Sequence, residues 1–324
     1  MIVRVGTFNL NNLFSRFNFQ AEVDEAPNSN PGGITLSFQE DGFSVRTFMG
    51  RLVRAKSATA TAEIARRIRS VMNADVLAVQ EVEHIEILKE FNRGQLQNLY
   101  PHIVLIEGND QRLIDVGIMS KLPIGLIVSH QTAVHPANPT ERVFSRDLLQ
   151  VEILDQNRNK LFTIYNTHLK SHFVTPGEDP IEGANDANNR RQQQAEMISR
   201  IIGRMERSDD RFVLAGDMND PPESPFLAPM LTVDNRPLIN TLANSVETRP
   251  AKAETPGQGP GPQTPSWTHR FNPEGPEFPR YELFDHIWVS ESLAQRFANP
   301  TIDRRVNHGG DGSDHDPAWV DLDV

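Results

Sequence analysis

Six short segments of the chain carry side chains suited to phosphate or metal chemistry: FNLNN, VQEVE, YNTHLKSH, GDMND, FDHIWVS and SDHDP. In VLAGDMND an apolar run is followed by Asp217, Asn219 and Asp220 within four positions. Taken alone, a strand closed by an Asx turn explains that pattern equally well. The same pattern recurs, however. Asn9 and Asn11 stand where the first apolar alternation stops, Gln80 and Glu81 close DVLAVQEVE, and Asn166 and His168 close LFTIYNTHL. Asp285 and His286 are embedded in LFDHIWVS, and Asp314 and His315 come just before the final apolar run. Carboxylates, amides and imidazoles gathered at strand ends belong to the crevice where open α/β sheets bind their ligands.

Composition narrows the chemistry. The 324 residues include no cysteine, which excludes disulfides, thiolate metal sites and a cysteine nucleophile. A metal would have to sit on oxygen or imidazole, and carboxylates favour Mg²⁺, with Mn²⁺ or Ca²⁺ as substitutes. A net charge of -11 argues against broad electrostatic capture of nucleic acid. A local basic rim could still act, and RTFMGRLVRAK (Arg46, Arg51, Arg54, Lys56) together with NNRRQ is where the sequence would place it. No apolar run approaches the ~20 residues needed to span a bilayer, so stable membrane insertion is not expected. The opening MIVRVGTFNL enters an alternating strand without the features of a signal peptide, and a cytoplasmic monomer is the expectation.

These residues must be positioned by regular elements. Short runs rich in β-branched and aromatic residues recur along the chain and predict large mixed sheets. Helical periodicity is clearest in ATAEIARRIRSVM and NNRRQQQAEMISRIIGRM, whose Arg66, Arg67, Arg190 and Arg191 read as solvated helix faces. Segments 18–46, 175–188 and 246–266 read as loops rich in proline, glycine and polar residues. Candidate site segments lie on both sides of every one of them. They are therefore excursions from a single domain over 1–324.

The six segments, in this order, closely resemble the motifs of the endonuclease/exonuclease/phosphatase superfamily, the metal-dependent phosphoesterases that include DNase I, AP endonucleases, neutral sphingomyelinases and inositol polyphosphate 5-phosphatases. The resemblance implies a four-layer α/β sandwich, two mixed β-sheets packed face to face with helices outside, and an active site at one edge. It implies that Glu81 holds a Mg²⁺ on the phosphate with Asn9 and Asp314 as companions. By the same resemblance Asp217 orients or deprotonates the attacking water, and Asn219 grips a phosphate oxygen. Asp285 fixes His315, and His168 contacts phosphate or assists the leaving group. Arg146 and Lys170 are further candidates near the scissile phosphate, and Asn11 stands where other branches carry Asp. His286 is assigned to packing, whereas His84, His102, His130, His135, His269 and His308 have no motif context.

A calcineurin-like metallophosphoesterase would also need an early Asp-x-His and a GNHE, and neither occurs. A silent phosphate-binding scaffold would be expected to lack the water-activating Asp or the catalytic His; both are in place. The expected activity is hydrolysis of phosphodiesters, as a nuclease or phosphodiesterase, with a phosphomonoesterase, sphingomyelinase-like or inositol-phosphatase-like enzyme as the alternative. The substrate itself, nucleic acid or a smaller ester, is left open by the sequence.

Overall fold

The computed structural model of the protein describes residues 1–14, 56–174, 177–207, 209–254, 257, 259–272, 277–308 and 311–324, and the backbone alone of 47–48 and 51–52. The loop 18–46, together with Arg46 and Arg54 and the side chain of Arg51, lies outside the described residues.

Alternation of side chains along strands builds the molecule. One sheet has seven strands in the order Val246–Glu247, Phe297–Ile302, Ala318–Asp323, Ile2–Leu13, Val76–Val82, Asp115–Ser120, His102–Leu105. The other has six, in the order Ile239–Asn240, Asp285–Val289, Phe212–Asp217, Lys160–His168, Leu148–Leu154, Ile124–Ser129. Both are mixed: Ile2–Leu13 runs parallel to Val76–Val82 and antiparallel to Ala318–Asp323, and Lys160–His168 runs parallel to Phe212–Asp217 and antiparallel to Leu148–Leu154. Alternate residues of the two sheets meet in one apolar core that includes Val3, Val5, Val76 and Ala78 from one sheet and Ile164, Val213, Ala215 and Ile287 from the other. The opposite face of the first sheet, with Phe8, Leu77 and Val79, packs on helices α1 (Ala58–Arg66) and α2 (Ile85–Gly94). The opposite face of the second, with Tyr165, Leu214 and Trp288, packs on α3 (Pro180–Met205) through Ile198, Ile201 and Ile202. Helix, sheet, sheet, helix is the four-layer α/β sandwich expected from the sequence. No helix among the described residues is long and apolar enough to cross a membrane.

Three expectations need correction. Residues 180–188 are not loop but the first turns of α3, started by Asp179, whose side chain accepts from the backbone N–H groups of Ile181 and Glu182, and by Pro180 at the first position. Proline there sacrifices no helical hydrogen bond, so the Asp-Pro pair marks a helix start inside what reads as a turn-rich stretch. Residues 246–247, at the start of the third predicted loop, form an edge strand paired with Phe297–Ile302. Nor are all four arginines solvated. Arg66 is exposed and pairs with Glu63 on its own helix, while Arg67 and Arg191 are fully buried. Arg67 is held by Asp303 at 2.8 Å and Asp316 at 3.0 Å, and Arg191 by Asp220 at 2.9 Å.

Candidate active site

The inward rows that build the core also build the site, because each row ends in a polar residue. Val3, Val5 and Thr7 lead to Asn9, Ile164 and Asn166 to His168, Val213 and Ala215 to Asp217, and Val289 and Ile287 to Asp285. Strand register puts His168 opposite Asp217 and Asp217 opposite Asp285, so three candidate side chains line up on adjacent strands. Asn9 faces them from the other sheet, donating from Nδ2 to Asp217 Oδ2 at 2.9 Å and to Glu81 Oε1 at 3.3 Å. Asn166 stops short of the site. Its amide donates to the carbonyls of Val79 and Gly117 and its oxygen accepts from Gln80, tying the two sheets together.

Strict alternation would point Glu81 the other way. A register shift between Val79 and Val82, with Glu81 at φ 60°, turns it back toward Asn9. Asn11 (φ 47°) and Asn219 (φ 53°) share this left-handed conformation, which is costly outside glycine and recurs at functional sites. Gly216, at φ 135°, is obligatory: a Cβ there would lie 1.9 Å from the Thr167 carbonyl oxygen. Asn219 is locked by its own N–H donating to Asp217 Oδ1 at 2.9 Å and by its amide donating to the Leu169 carbonyl at 3.1 Å.

His315 arrives on the last loop. Ser313 donates to the Asn9 carbonyl at 2.8 Å and accepts from the His315 N–H at 3.0 Å. The Asp316 N–H donates to the Thr268 carbonyl at 2.8 Å. The Thr268 hydroxyl in turn accepts from the N–H groups of Phe284 and Asp285. His315 Nδ1 then meets Asp285 Oδ2 at 2.7 Å, and its Nε2 lies 3.8 Å from Asp217 Oδ2. Burial alone would lower the pKa of His315, but the carboxylates of Asp285 and Asp217 raise it well above an ordinary histidine. Burial lifts Asp217, opposed by His315 and the Asn9 hydrogen bond. Glu81 is raised by burial and by the Asp314 carboxylate. His168 Nε2 lies 3.4 Å from Asp217 Oδ2, and burial with Arg146 nearby holds this histidine neutral, well below its usual range.

Not every candidate reaches this centre. Arg146 is buried, with its guanidinium 3.2 Å from Asp110, and its charge acts on Glu81 and Asp217. Lys170 turns its ammonium onto the carbonyls of Ser171 and Phe173. Asn11 donates to Asp314 at 2.7 Å, holding that exposed carboxylate. His286 is a packing residue, as expected, with one ring nitrogen on the Leu283 carbonyl and the other accepting from Trp288. From the basic segment, Lys56 donates to the Gly312 carbonyl at 2.6 Å, within electrostatic reach of Asp314 and Glu81.

Three contributors fall outside the candidate residues read from the sequence, although two of them lie within YNTHLKSH and SDHDP. His269 forms a bridge with His315, and the two rings lie 4.8 Å apart, tilted at 44°. His172 meets Asp220 at 2.9 Å, and Asp316 anchors the final loop from beneath. THLKSH and SDHDP could have flagged His172 and Asp316; nothing local could have flagged His269.

Among the described residues, two sets offer ligand atoms within 4.8 Å of one another: His269, Asp314 and His315, and Asp217, Asp285 and His315. Glu81 belongs to neither set, but burial and the nearby Asp314 carboxylate both disfavour its charge. Such an accumulation of oxygen donors of one sign fits a hard divalent cation. Two cavities flank the centre. One, of about 570 Å³, is walled by Arg112, Arg146, Lys170 and Arg190, and interleaves Asp110, Glu141, Glu178 and Asp186. The other, of about 480 Å³, starts at Asn219 and Asp220 and is walled by the rings of His172, His269, Phe271 and Phe284.

Comparison with known proteins gives the same architecture. Truncated TDP2 from Caenorhabditis elegans is 17% identical at a TM-score of 0.56, covering 100% of this chain and 98% of that one. An AP endonuclease from Archaeoglobus fulgidus is 14% identical at 0.57, over 99% and 100% of the two chains. A mannosyl-6-phosphatase from Bacteroides thetaiotaomicron is 15% identical at 0.53, over 99% and 100%. At these identities the likeness shows a shared fold. No curated protein matches the chain in sequence. The sequence pattern described as Endonuclease/Exonuclease/phosphatase family matches residues 6–315, nearly the whole length, and it spans the strand ends from Asn9 to His315 that converge in this site. The chain belongs to the endonuclease/exonuclease/phosphatase family.

Proposed function

We propose that the protein hydrolyses phosphodiester bonds at this centre with the help of Mg²⁺, Mn²⁺ or Ca²⁺. The observation that carries the proposal is the row Asp285, His315, Asp217, in which a histidine fixed at 2.7 Å by one buried carboxylate faces a second at the mouth of the inter-sheet core. A histidine so fixed has a defined orientation and is favoured as the imidazolium, which suits it to charge developing on a phosphoryl group. Asp217 takes the proton of the attacking water. Its two oxygens are held by Asn9 and Asn219, so the carboxylate cannot swing away. Asn219, in its left-handed turn, presents its remaining amide proton to a phosphate oxygen. Neutral His168, 3.4 Å from Asp217, serves the leaving side by hydrogen bonding rather than by charge. Glu81, Asp314 and Asn9 would hold the cation, which when bound neutralises charge on the phosphate.

A diester is supported by the room for an ester arm beside the centre, in the cavity lined by Asn219 and Asp220. The cavity lined by Arg112 carries as many carboxylates as cations, which does not make it a track for a long polyanion. We also read the described chain as one domain, since the inter-sheet core draws residues from Val3 to Leu322. The test is a panel of bis(p-nitrophenyl) phosphate, p-nitrophenyl phosphate, plasmid and single-stranded DNA, RNA, sphingomyelin and inositol phosphates, each with Mg²⁺, Mn²⁺ and Ca²⁺ and with excess EDTA. Diester turnover that EDTA abolishes is the expected result. Full turnover in EDTA, or turnover of monoesters alone, contradicts the proposal.

A further inference from the structure

The cavity that begins beside Asn219 has a chemistry of its own, and that chemistry points to the substrate. On the Asn219 side the wall is aromatic. The Phe284 ring lies nearly parallel to that of His269 (5.1 Å, 11°) and to that of His172 (6.0 Å, 23°). His269 continues the wall to His315, 4.8 Å further on. The paired strands His269–Phe271 and Arg280–Glu282 also bring in Phe271, 42% exposed, with the Arg280 guanidinium 5.1 Å from its ring centre. A volume of about 480 Å³ lies in the range of small-molecule sites, and stacked rings with one guanidinium favour a flat partner.

Resting on the hydrolytic reading above, we propose that this cavity is a subsite for a planar ring carried on one ester arm of the substrate, either a nucleobase or an aryl group. Asn219 and Asp220 are part of its lining and follow Asp217 in the chain, so a ring seated there belongs to a molecule whose phosphate lies against Asp217 and His168. Phe271 and Arg280 are the residues that select it. Neither has a part in the hydrolytic centre, and both are exposed on a hairpin, so they can be replaced without touching the core.

Equilibrium binding, which needs no turnover, tests this. Calorimetric affinities in Mg²⁺ are compared for two pairs that differ only in a ring: phenylphosphonate against methylphosphonate, and thymidine 5′-monophosphate against 2-deoxyribose 5-phosphate. The ring-bearing member of at least one pair should bind about ten-fold tighter, at the lower end of what stacking a base on an aromatic side chain contributes. Preference in the first pair alone identifies an aryl arm, in the second alone a nucleobase, and in both a general planar site. In the double variant Phe271→Ala with Arg280→Ala the ratio should fall toward one while methylphosphonate binding is unchanged. Ratios near one in both pairs, no binding of any of the four ligands, or a wild-type ratio retained in the double variant would overturn the subsite. Ring preference in a protein that turns over none of the phosphoesters would instead count against hydrolysis and leave the subsite standing.

Discussion

His315 and Asp316 are neighbours in sequence and belong to two charge clusters of opposite design. Below the final loop, Arg67, Arg304 and Arg305 surround Asp316 at 3.0 to 3.1 Å, and Arg67 also holds Asp303 at 2.8 Å. Cations exceed anions there, and each carboxylate is gripped directly. Burial opposes the charge of Asp316, but the three guanidiniums hold its carboxyl below the ordinary range. Above the loop the balance is reversed. Glu81, Asp217, Asp285 and Asp314 gather about His315, so that carboxylates outnumber the cation they surround. The first cluster spends its charge on fixing the loop; the second keeps charge uncompensated where a phosphate and a cation would meet it. Buried ions whose partners are in place are structural, and breaking them unfolds, whereas unmatched ones mark chemistry.

The comparison breaks if the clusters exchange roles under mutation. Asp217→Asn and His315→Ala should each cost ~100 to 10,000-fold in turnover, the usual weight of a general acid or base, with the melting temperature near that of the wild type. Asp316→Ala should do the reverse, removing about 3 to 5 kcal/mol of stability because it strands buried guanidiniums, and losing activity only as the fold is lost. Circular dichroism melts beside kcat distinguish the two patterns.

Acid sharpens it. The folded carboxyl of Asp316 is depressed, so the unfolded chain takes up that proton at higher pH. Its stabilisation is fully present above the ordinary carboxylate range and is lost as pH falls through the folded value, below about pH 4. Urea denaturation from pH 6 to 3 should therefore show a shallower loss in Asp316→Asn, which starts lower. A slope equal to that of the wild type would remove Asp316 from the acid response.

The smallest effect is expected next to one of the largest. Arg66→Ala removes an exposed pair with Glu63 and should change stability by no more than about 1 kcal/mol, whereas Arg67→Ala should cost several times that. Equal destabilisation by the two would show that burial is not what distinguishes them.

Much of this was legible in the sequence because the strand period of two does double duty. The alternation that makes Val213 and Ala215 core delivers Asp217 to the same inter-sheet space, and four strand ends follow this rule. What alternation could not show is where it fails. Glu81 reaches the site through a bulge, and no local feature of VQEVE distinguishes it from an outward side chain. Long-range pairing is the second gap. Arg67 and Arg191 sit at helix positions that look solvated, and only the return of Asp303, Asp316 and Asp220 in space makes their burial tolerable. His269 enters through a bridge to a residue 46 positions away by sequence number, a contact that no spacing encodes. Lys170 had the right neighbours in THLKS, but local carbonyls take up its ammonium.

The most direct measurement is a double-mutant cycle on Asp285 and His315, with kcat/KM for bis(p-nitrophenyl) phosphate in Mg²⁺ determined for the wild type, Asp285→Asn, His315→Ala and the double variant. If the 2.7 Å contact makes the two residues one catalytic unit, the double variant is scarcely slower than His315→Ala alone, as residues that share a function are non-additive. A double variant whose defect equals the product of the two single defects would contradict the account, showing that Asp285 and His315 act independently.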